Sequence, residues 1–347
     1  MRDKFNSRSI SRLRLVIQIL FFAVLIYGGF AVSGIETWLS RGPARIDRLT
    51  GPANVKQVVK RSTTTDIYLP ATSCIYQRQG LCKGCSLYYL TDIIAWHPKI
   101  EKVLAYLGVL LLLMLVGGRL WCGWVCPLGL LSDIMTRLRA RTGISRVRVS
   151  KGFREGLVWA KYVILLAVLS VAALASLPSM ADYRLSLSEP FCQVCPSRIF
   201  QAFFSFDTVC WTNPADKITT VFTVLGLLAF GLFFIGLTVR RFWCRLCPIG
   251  GLNAAFNRTG LVMIVKDGQK CTRCGACERS CPLDVQRVFE GRGRGPVTSY
   301  ECHLCLRCVE SCPEDGCLEF RWLGFTLASS GVSKKGPRTR APEVESG

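Results

Sequence analysis

Histidine is nearly missing from this chain: its 347 residues include only His97 and His303. A b-type haem gripped by two histidines would have to pair those two, one of which sits inside a dense cysteine run. No C-x2-C-H haem-attachment motif occurs either. Zinc sites that mix cysteine with histidine lose their usual partner for the same reason. Acid is scarce as well, with 23 Asp and Glu against 44 Lys and Arg and a formal net charge of +21. No residue stands out as a general acid or nucleophile. In a soluble protein so basic a balance would point to nucleic acid, but here the basic residues fall in loops between long apolar runs, and the partner implied is a lipid bilayer. A nucleotide-binding fingerprint is absent too, because the GRGRG at 291–295 lacks the strand-to-helix context that would aim a helix start at a phosphate.

Cysteine, by contrast, is plentiful, at 19 residues. CTRCGACERSCP at 271–282 and CHLCLRCVESCP at 302–313 repeat one spelling, C-x2-C-x2-C-x3-C-P. That run folds around cubane 4Fe-4S clusters, three thiolates coming from one run and the fourth from the other. Crossed ligation assigns one cluster to Cys271, Cys274, Cys277 and Cys312, and the other to Cys302, Cys305, Cys308 and Cys281. Pro282 and Pro313 fix the turn after each fourth ligand and remove an amide donor. Cys317 is expected as a small buried residue, and His303 as a nearby hydrogen-bond donor. LVMIVK at 261–266 reads as the first strand of a small α+β two-cluster domain, with LEFRW at 318–322 as its partner.

Half the residues are hydrophobic. Apolar runs at 15–32, 103–118, 157–177 and 218–239 approach the roughly 20 residues a helix needs to cross a bilayer, which predicts four transmembrane helices. The first run exceeds the apolar core of a signal peptide and is expected as a retained anchor. Eight basic residues lie in 119–155 against three in 178–217. The positive-inside rule therefore places the first of these loops, both termini and the cysteine-rich domain in the cytoplasm. The ten basic residues of 33–102 then lie outside, as loops longer than about 60 residues do largely regardless of charge. Lys161 is expected to reach back to the cytoplasmic face, and His97 to sit at the interface. The boundaries expected are a basic N-terminus at 1–14, a membrane module at 15–249, a connector at 250–260, the two-cluster domain at 261–325 and a disordered tail at 326–347.

The membrane part reads as one helical hairpin written twice. RLWCGWVCPLGLL follows the second run and RRFWCRLCPIGGL the fourth. Pairing the halves brings Cys122, Cys126, Cys244 and Cys247 together on the cytoplasmic side. In a reducing compartment four soft thiolates hold metal rather than disulfides, with an iron-sulfur centre first and zinc or copper(I) as alternatives. Trp121, Trp124 and Trp243 beside them are expected as an aromatic belt. A second set, Cys82, Cys85, Cys192 and Cys195, falls on the outer side, where a further cluster and disulfides both remain open, with Cys74 and Cys210 left as a staple. Inner and outer sets would then face each other across a hydrocarbon layer about 30 Å thick. A quinone or an inset centre would be needed to join them.

The motifs CGWVCP and CRLCP, the four apolar runs and the two C-terminal cysteine runs together resemble the NapH-type membrane ferredoxins, part of a wider group that includes NosR-like and CcoG-like proteins. The resemblance covers about 15–322. The family spelling C-x3-C-P is met by Cys122 and Cys126, whereas Cys244 and Cys247 stand one residue closer. It implies an electron-transfer subunit between the membrane quinone pool and a partner oxidoreductase, in a bacterial-type inner membrane. The other reading is a redox-sensing or metal-reducing assembly factor of NosR or CcoG type. NosR-like proteins carry a large external flavin domain, for which 33–102 is too short, and CcoG-like proteins continue into an additional domain where this chain has a short tail.

Overall fold

The structure, a computed structural model, describes residues 7–40, 65–74, 82–98, 100–145, 147, 149–205, 217–258 and 261–331. Helix α1 spans Ser7–Ser40, so the expected polar N-terminus is already helical from Ser7. A short parallel pair follows, β1 (Thr65–Leu69) and β2 (Cys82–Cys85), with Leu69 opposite Cys85. Next come α2 (Ser86–Trp96), α3 (Ile100–Gly117), α4 (Leu120–Trp124) and α5 (Pro127–Thr142). The second half of the repeat is built from α6 (Lys151–Ala175), α7 (Pro190–Val194), α8 (Pro196–Ser205), α9 (Lys217–Phe233), α10 (Phe242–Leu246) and α11 (Pro248–Ala255). Helix α11 occupies most of the expected connector.

Three of these helices carry stretches long and apolar enough to cross a membrane, Ile10–Gly28, Lys151–Ala175 and Thr220–Leu237, while Val103–Gly117 is shorter. Their ends follow from local chemistry. Ser150 caps α6 by accepting from the Phe153 N–H at 3.4 Å, and Gly143 ends α5 in the left-handed region at φ 72°, where a side chain would clash with the backbone.

The C-terminal domain is a four-stranded antiparallel sheet in the order β4–β3–β5–β6, from β3 (Val262–Lys266), β4 (Gly295–Pro296), β5 (Leu318–Trp322) and β6 (Phe325–Ser329). Pairing runs from Val262 opposite Trp322 to Lys266 opposite Leu318, as the two apolar segments predict. Two short helices, α12 (Ala276–Ser280) and α13 (Arg307–Ser311), carry parts of the cysteine runs. Strand β6 lies within the stretch expected as tail. Its pairing with β5, including Phe320 opposite Ala328, satisfies backbone groups that the sequence's polarity did not advertise.

The domain is seated on the helices by buried polar contacts. Asp133 of α5 holds Arg241 at 2.9 Å, Arg307 at 3.0 Å and Arg14 at 3.5 Å. Glu301 takes Lys161 at 2.6 Å and Arg119 at 3.0 Å. Lys161, expected to reach back toward the cytoplasmic face, ends in an ion pair with Glu301 of the C-terminal domain and is itself fully buried. Gly123 of α4 lies so close to the His303 carbonyl that any Cβ there would collide with it.

Candidate iron-sulfur sites

Five Cys-Pro steps share one backbone conformation. Cys126, Cys195, Cys247, Cys281 and Cys312 have φ between −63° and −73° and ψ between 119° and 126°. Proline drives the residue before it out of the helical region, so each step closely follows the end of a five-residue helix: α4, α7, α10, α12 and α13. Each of those helices bears an earlier cysteine, namely Cys122, Cys192, Cys244, Cys277 and Cys308. On α4, α7 and α10 one turn of helix presents both thiols to a common pocket, whereas Cys308 of α13 and the Cys312 that follows it line different ones.

These thiols line four pockets. Cys271, Cys274, Cys277 and Cys312 surround about 320 Å³ of space, with Lys266 and Cys317 beside them. Cys281, Cys302, Cys305 and Cys308 line about 400 Å³, together with Cys277, so the fold brings the thiols of the expected crossed sets to two adjoining pockets. Cys122, Cys126, Cys244 and Cys247 surround about 350 Å³. The one-residue difference in spacing between the two halves does not keep their thiols apart. Cys74, Cys85, Cys192 and Cys195 line the fourth, of about 280 Å³. Cys74, expected as a staple, faces this pocket instead. The Cys82 side chain and Cys210 lie outside the described residues.

The pockets stand in a file. Cys277 lines both pockets of the C-terminal domain, His303 lines the second of these and the pocket of Cys122, and Thr72 and Ile249 line the pockets of Cys122 and Cys192 alike. The inner and outer sets are therefore neighbours, against the expectation that a bilayer's thickness divides them. The β1–β2 pairing folds residues 70–74 back beside Cys85 and into the module, which the length of the intervening loop concealed.

Each pocket suits thiolate-bound iron. Among the described residues no three His, Cys, Asp or Glu side chains stand close enough to share one metal ion. With metal–sulfur bonds of about 2.3 Å, a lone zinc would draw its thiolates tightly together; these stand further apart. Backbone amides already point at the sulfurs, from Leu304 to Cys302 at 3.4 Å and from Val285 to Cys281 at 3.3 Å, the donors that tune a cluster. Burial pushes the Cys302 thiol up to about 12 and that of Cys281 up to about 11, so these groups ionise only against a positive centre.

His303 is the residue that sequence reasoning placed least well. Its buried ring lies between two buried guanidiniums from equivalent positions of the repeat, with Arg119 Nη2 2.8 Å from Nε2 and Arg241 Nη1 3.0 Å from Nδ1. Burial first, then Arg119 and Arg241, hold its pKa well below the ordinary imidazole value. The matching arginine before each Trp-Cys was the available signal. Two of the expected belt tryptophans are also internal. Trp124 donates from Nε1 to the Leu304 carbonyl at 3.0 Å, and buried Trp243 lines the pocket of Cys122. Trp121 donates to the Leu113 carbonyl at 2.8 Å. His97 is exposed and ends α2 in the left-handed region at φ 44°.

Comparison with known proteins gives the same cofactor. A 4Fe-4S binding domain family matches residues 103–145 and 220–266, and a 4Fe-4S dicluster domain family matches 263–313. Among curated proteins, the ferredoxin-type protein NapH of Escherichia coli is 29% identical over 60% of this chain and 63% of its own length. The methylamine utilization ferredoxin-type protein MauN of Methylorubrum extorquens is 33% identical over 59% and 62%. The regulatory protein NosR of Pseudomonas aeruginosa is 29% identical over 56% of this chain but 24% of itself. The chain thus covers less than two thirds of each of these relatives. No solved structure matches it.

Proposed function

Because the chain belongs to the NapH-type membrane polyferredoxins, we propose that it is a membrane-bound subunit that passes single electrons between the quinone pool and a partner oxidoreductase. Three cubanes carry this role. Cys271, Cys274, Cys277 and Cys312 hold the first, and Cys302, Cys305, Cys308 and Cys281 the second. Cys122, Cys126, Cys244 and Cys247 hold the third. Four spans, the fourth being the shorter helix α3, anchor the chain in the inner membrane with both termini and the C-terminal domain in the cytoplasm.

The observation that carries this reading is the file of thiol-lined pockets, each sharing a lining residue with the next. Bound there, the clusters would supply one-electron carriers at close spacing. The protein's own residues hold and shield them. Arg119 and Arg241 place buried positive charge beside the thiolates of Cys122 and Cys244, and Trp124 and Gly123 close the seam with the C-terminal domain.

The test is anaerobic purification of the full chain in detergent, followed by mixing with a short-chain quinol and an artificial one-electron acceptor. Paramagnetic signals of reduced cubanes should develop with quinol, and electrons should reach the acceptor. Cys122→Ser should abolish that transfer and remove one cluster's iron while leaving the dicluster signals. Iron unaffected by Cys122→Ser would sink the inner site. Clusters that redden and bleach with redox poise but never turn over would favour the sensing or assembly role, to which the likeness to a protein named regulatory lends support.

A further inference from the structure

We infer that the chain holds a fourth 4Fe-4S cluster, ligated by Cys74, Cys85, Cys192 and Cys195, at the end of the file remote from the C-terminal domain. The inference rests on the iron-sulfur reading above but concerns residues that neither matched family covers, since those matches run over 103–145, 220–266 and 263–313.

Three observations support it. The first is local geometry. Cys192 sits on the five-residue helix α7 and Cys195 ends it before Pro196, with φ −65° and ψ 126°; Cys244 sits on α10 and Cys247 ends it before Pro248 with φ −64° and ψ 119°. The segment that presents thiols to the inner pocket is thus built a second time at this one. Gly226 of α9 lets it pack there, for a Cβ at that position would lie 2.8 Å from the Gln193 carbonyl oxygen.

The second is convergence. Four thiols from three separate stretches of chain line one pocket of about 280 Å³ together with Thr72, Ser73 and Ser197. Cys85, Cys192 and Cys195 are buried, and none of the four is in a disulfide. Cys85 stands at the start of α2, where its sulfur accepts the Tyr88 N–H at 3.4 Å. Amide donors at a helix start stabilise an anionic sulfur and do nothing for a disulfide.

The third is charge. Arg198, 6% exposed, lines the same pocket and donates from Nη1 to the Gln193 carbonyl at 3.5 Å. A buried guanidinium in the wall of this pocket adds positive charge that favours an anionic thiolate-bound cluster there. Placement gives the site its use. Among the described residues, Thr72 and Ile249 alone lie in the linings of both this pocket and the inner one, so the fourth cluster would extend the carriers away from the C-terminal domain.

Iron and acid-labile sulfide measured on anaerobically purified full chain decide the matter, with Mössbauer spectra to count cubanes. Cys192→Ser and Cys74→Ser should each remove about a quarter of the iron while the dicluster signals and the loss caused by Cys122→Ser are unchanged. Iron unaltered in both Cys192→Ser and Cys74→Ser overturns the fourth cluster, as does mass spectrometry of alkylated protein finding Cys85 or Cys192 oxidised in pairs. Loss on Cys82→Ser but not on Cys74→Ser overturns the ligand set. Failure of Cys122→Ser alone to lose iron would count against the inner site of the proposed function and leave this one standing. If Cys192→Ser does not accumulate, Cys74→Ser, on the loop of 70–74 outside every helix, gives the same reading.

Discussion

Cys274 in the C-terminal domain is exposed, and its neighbours Cys271, Cys277 and Cys312 are half-buried, whereas six of the eight cysteines lining the module's pockets, Cys85, Cys126, Cys192, Cys195, Cys244 and Cys247, are buried, Cys74 and Cys122 being half-buried. The same Cys-Pro turn serves both regions, so the difference lies in what surrounds the sulfur. The C-terminal pocket of Cys271 sits over Lys266, whose ammonium also donates to the Val288 and Phe289 carbonyls, both at 3.0 Å. Between the two module pockets lie Thr72 and Ile249, one hydroxyl and one hydrocarbon side chain. Potential is set by charge, by hydrogen bonds to sulfur and by exposure. The two regions draw on these in different proportions, which offers a way to tune carriers separately along one file.

The largest expected effect comes from breaking the joint between the regions. Asp133→Asn leaves Arg14, Arg241 and Arg307 without their shared carboxylate and should cost about 3–5 kcal/mol, as loss of one member of a buried ion cluster does. Limited proteolysis should then release the C-terminal domain, and denaturant midpoints should fall. Burial works to raise the Asp133 carboxyl, yet Arg241, Arg307 and Arg14 together hold it well below the ordinary range. A depressed carboxylate contributes stability above its unfolded pKa of about 3.9 and loses it as pH falls through the folded value. Asp133's share in the joint should therefore be flat from about pH 8 to 5 and weaken only below about 4. An early loss near pH 6 in wild type that Asp133→Asn abolishes would contradict the assignment.

A smaller effect sharpens the contrast within the C-terminal domain. Lys266→Met removes a buried cation beside the Cys271 pocket and should lower that cluster's reduction potential by roughly 50–150 mV, from a charge a few ångströms away at moderate effective dielectric. Redox titration followed by paramagnetic resonance would read it, with the module's signals unmoved. Smaller again is Thr72→Val. The Thr72 hydroxyl lies 2.9 Å from the Cys126 sulfur, and losing that hydrogen bond, worth about 0.5–1.5 kcal/mol, should lower the inner potential by tens of millivolts without loss of iron.

The sequence made some of this plain and hid the rest for physical reasons. The dicluster runs were legible because Cys277 and Cys308 lie on short helices and the other six ligands flank those helices at spacings the chain fixes locally, and β3 and β5 were legible as apolar strands. The inner site was legible through the duplication of Trp-Cys and Cys-Pro. Cys74 was not, because what brings it to Cys85 is the β1–β2 pairing across a loop with no periodicity to read. Thr72 and Ile249 carry no chemical signature of their own; their place between two pockets is a property of packing. His303 looked like an incidental residue between ligands, since its partners Arg119 and Arg241 lie 184 and 62 positions away.

That last arrangement bears on how the molecule is put together. One guanidinium flanking the imidazole belongs to the first hairpin and the other to the second, and the imidazole itself is synthesised after both. The complete seat of the C-terminal domain therefore needs an arginine from each hairpin.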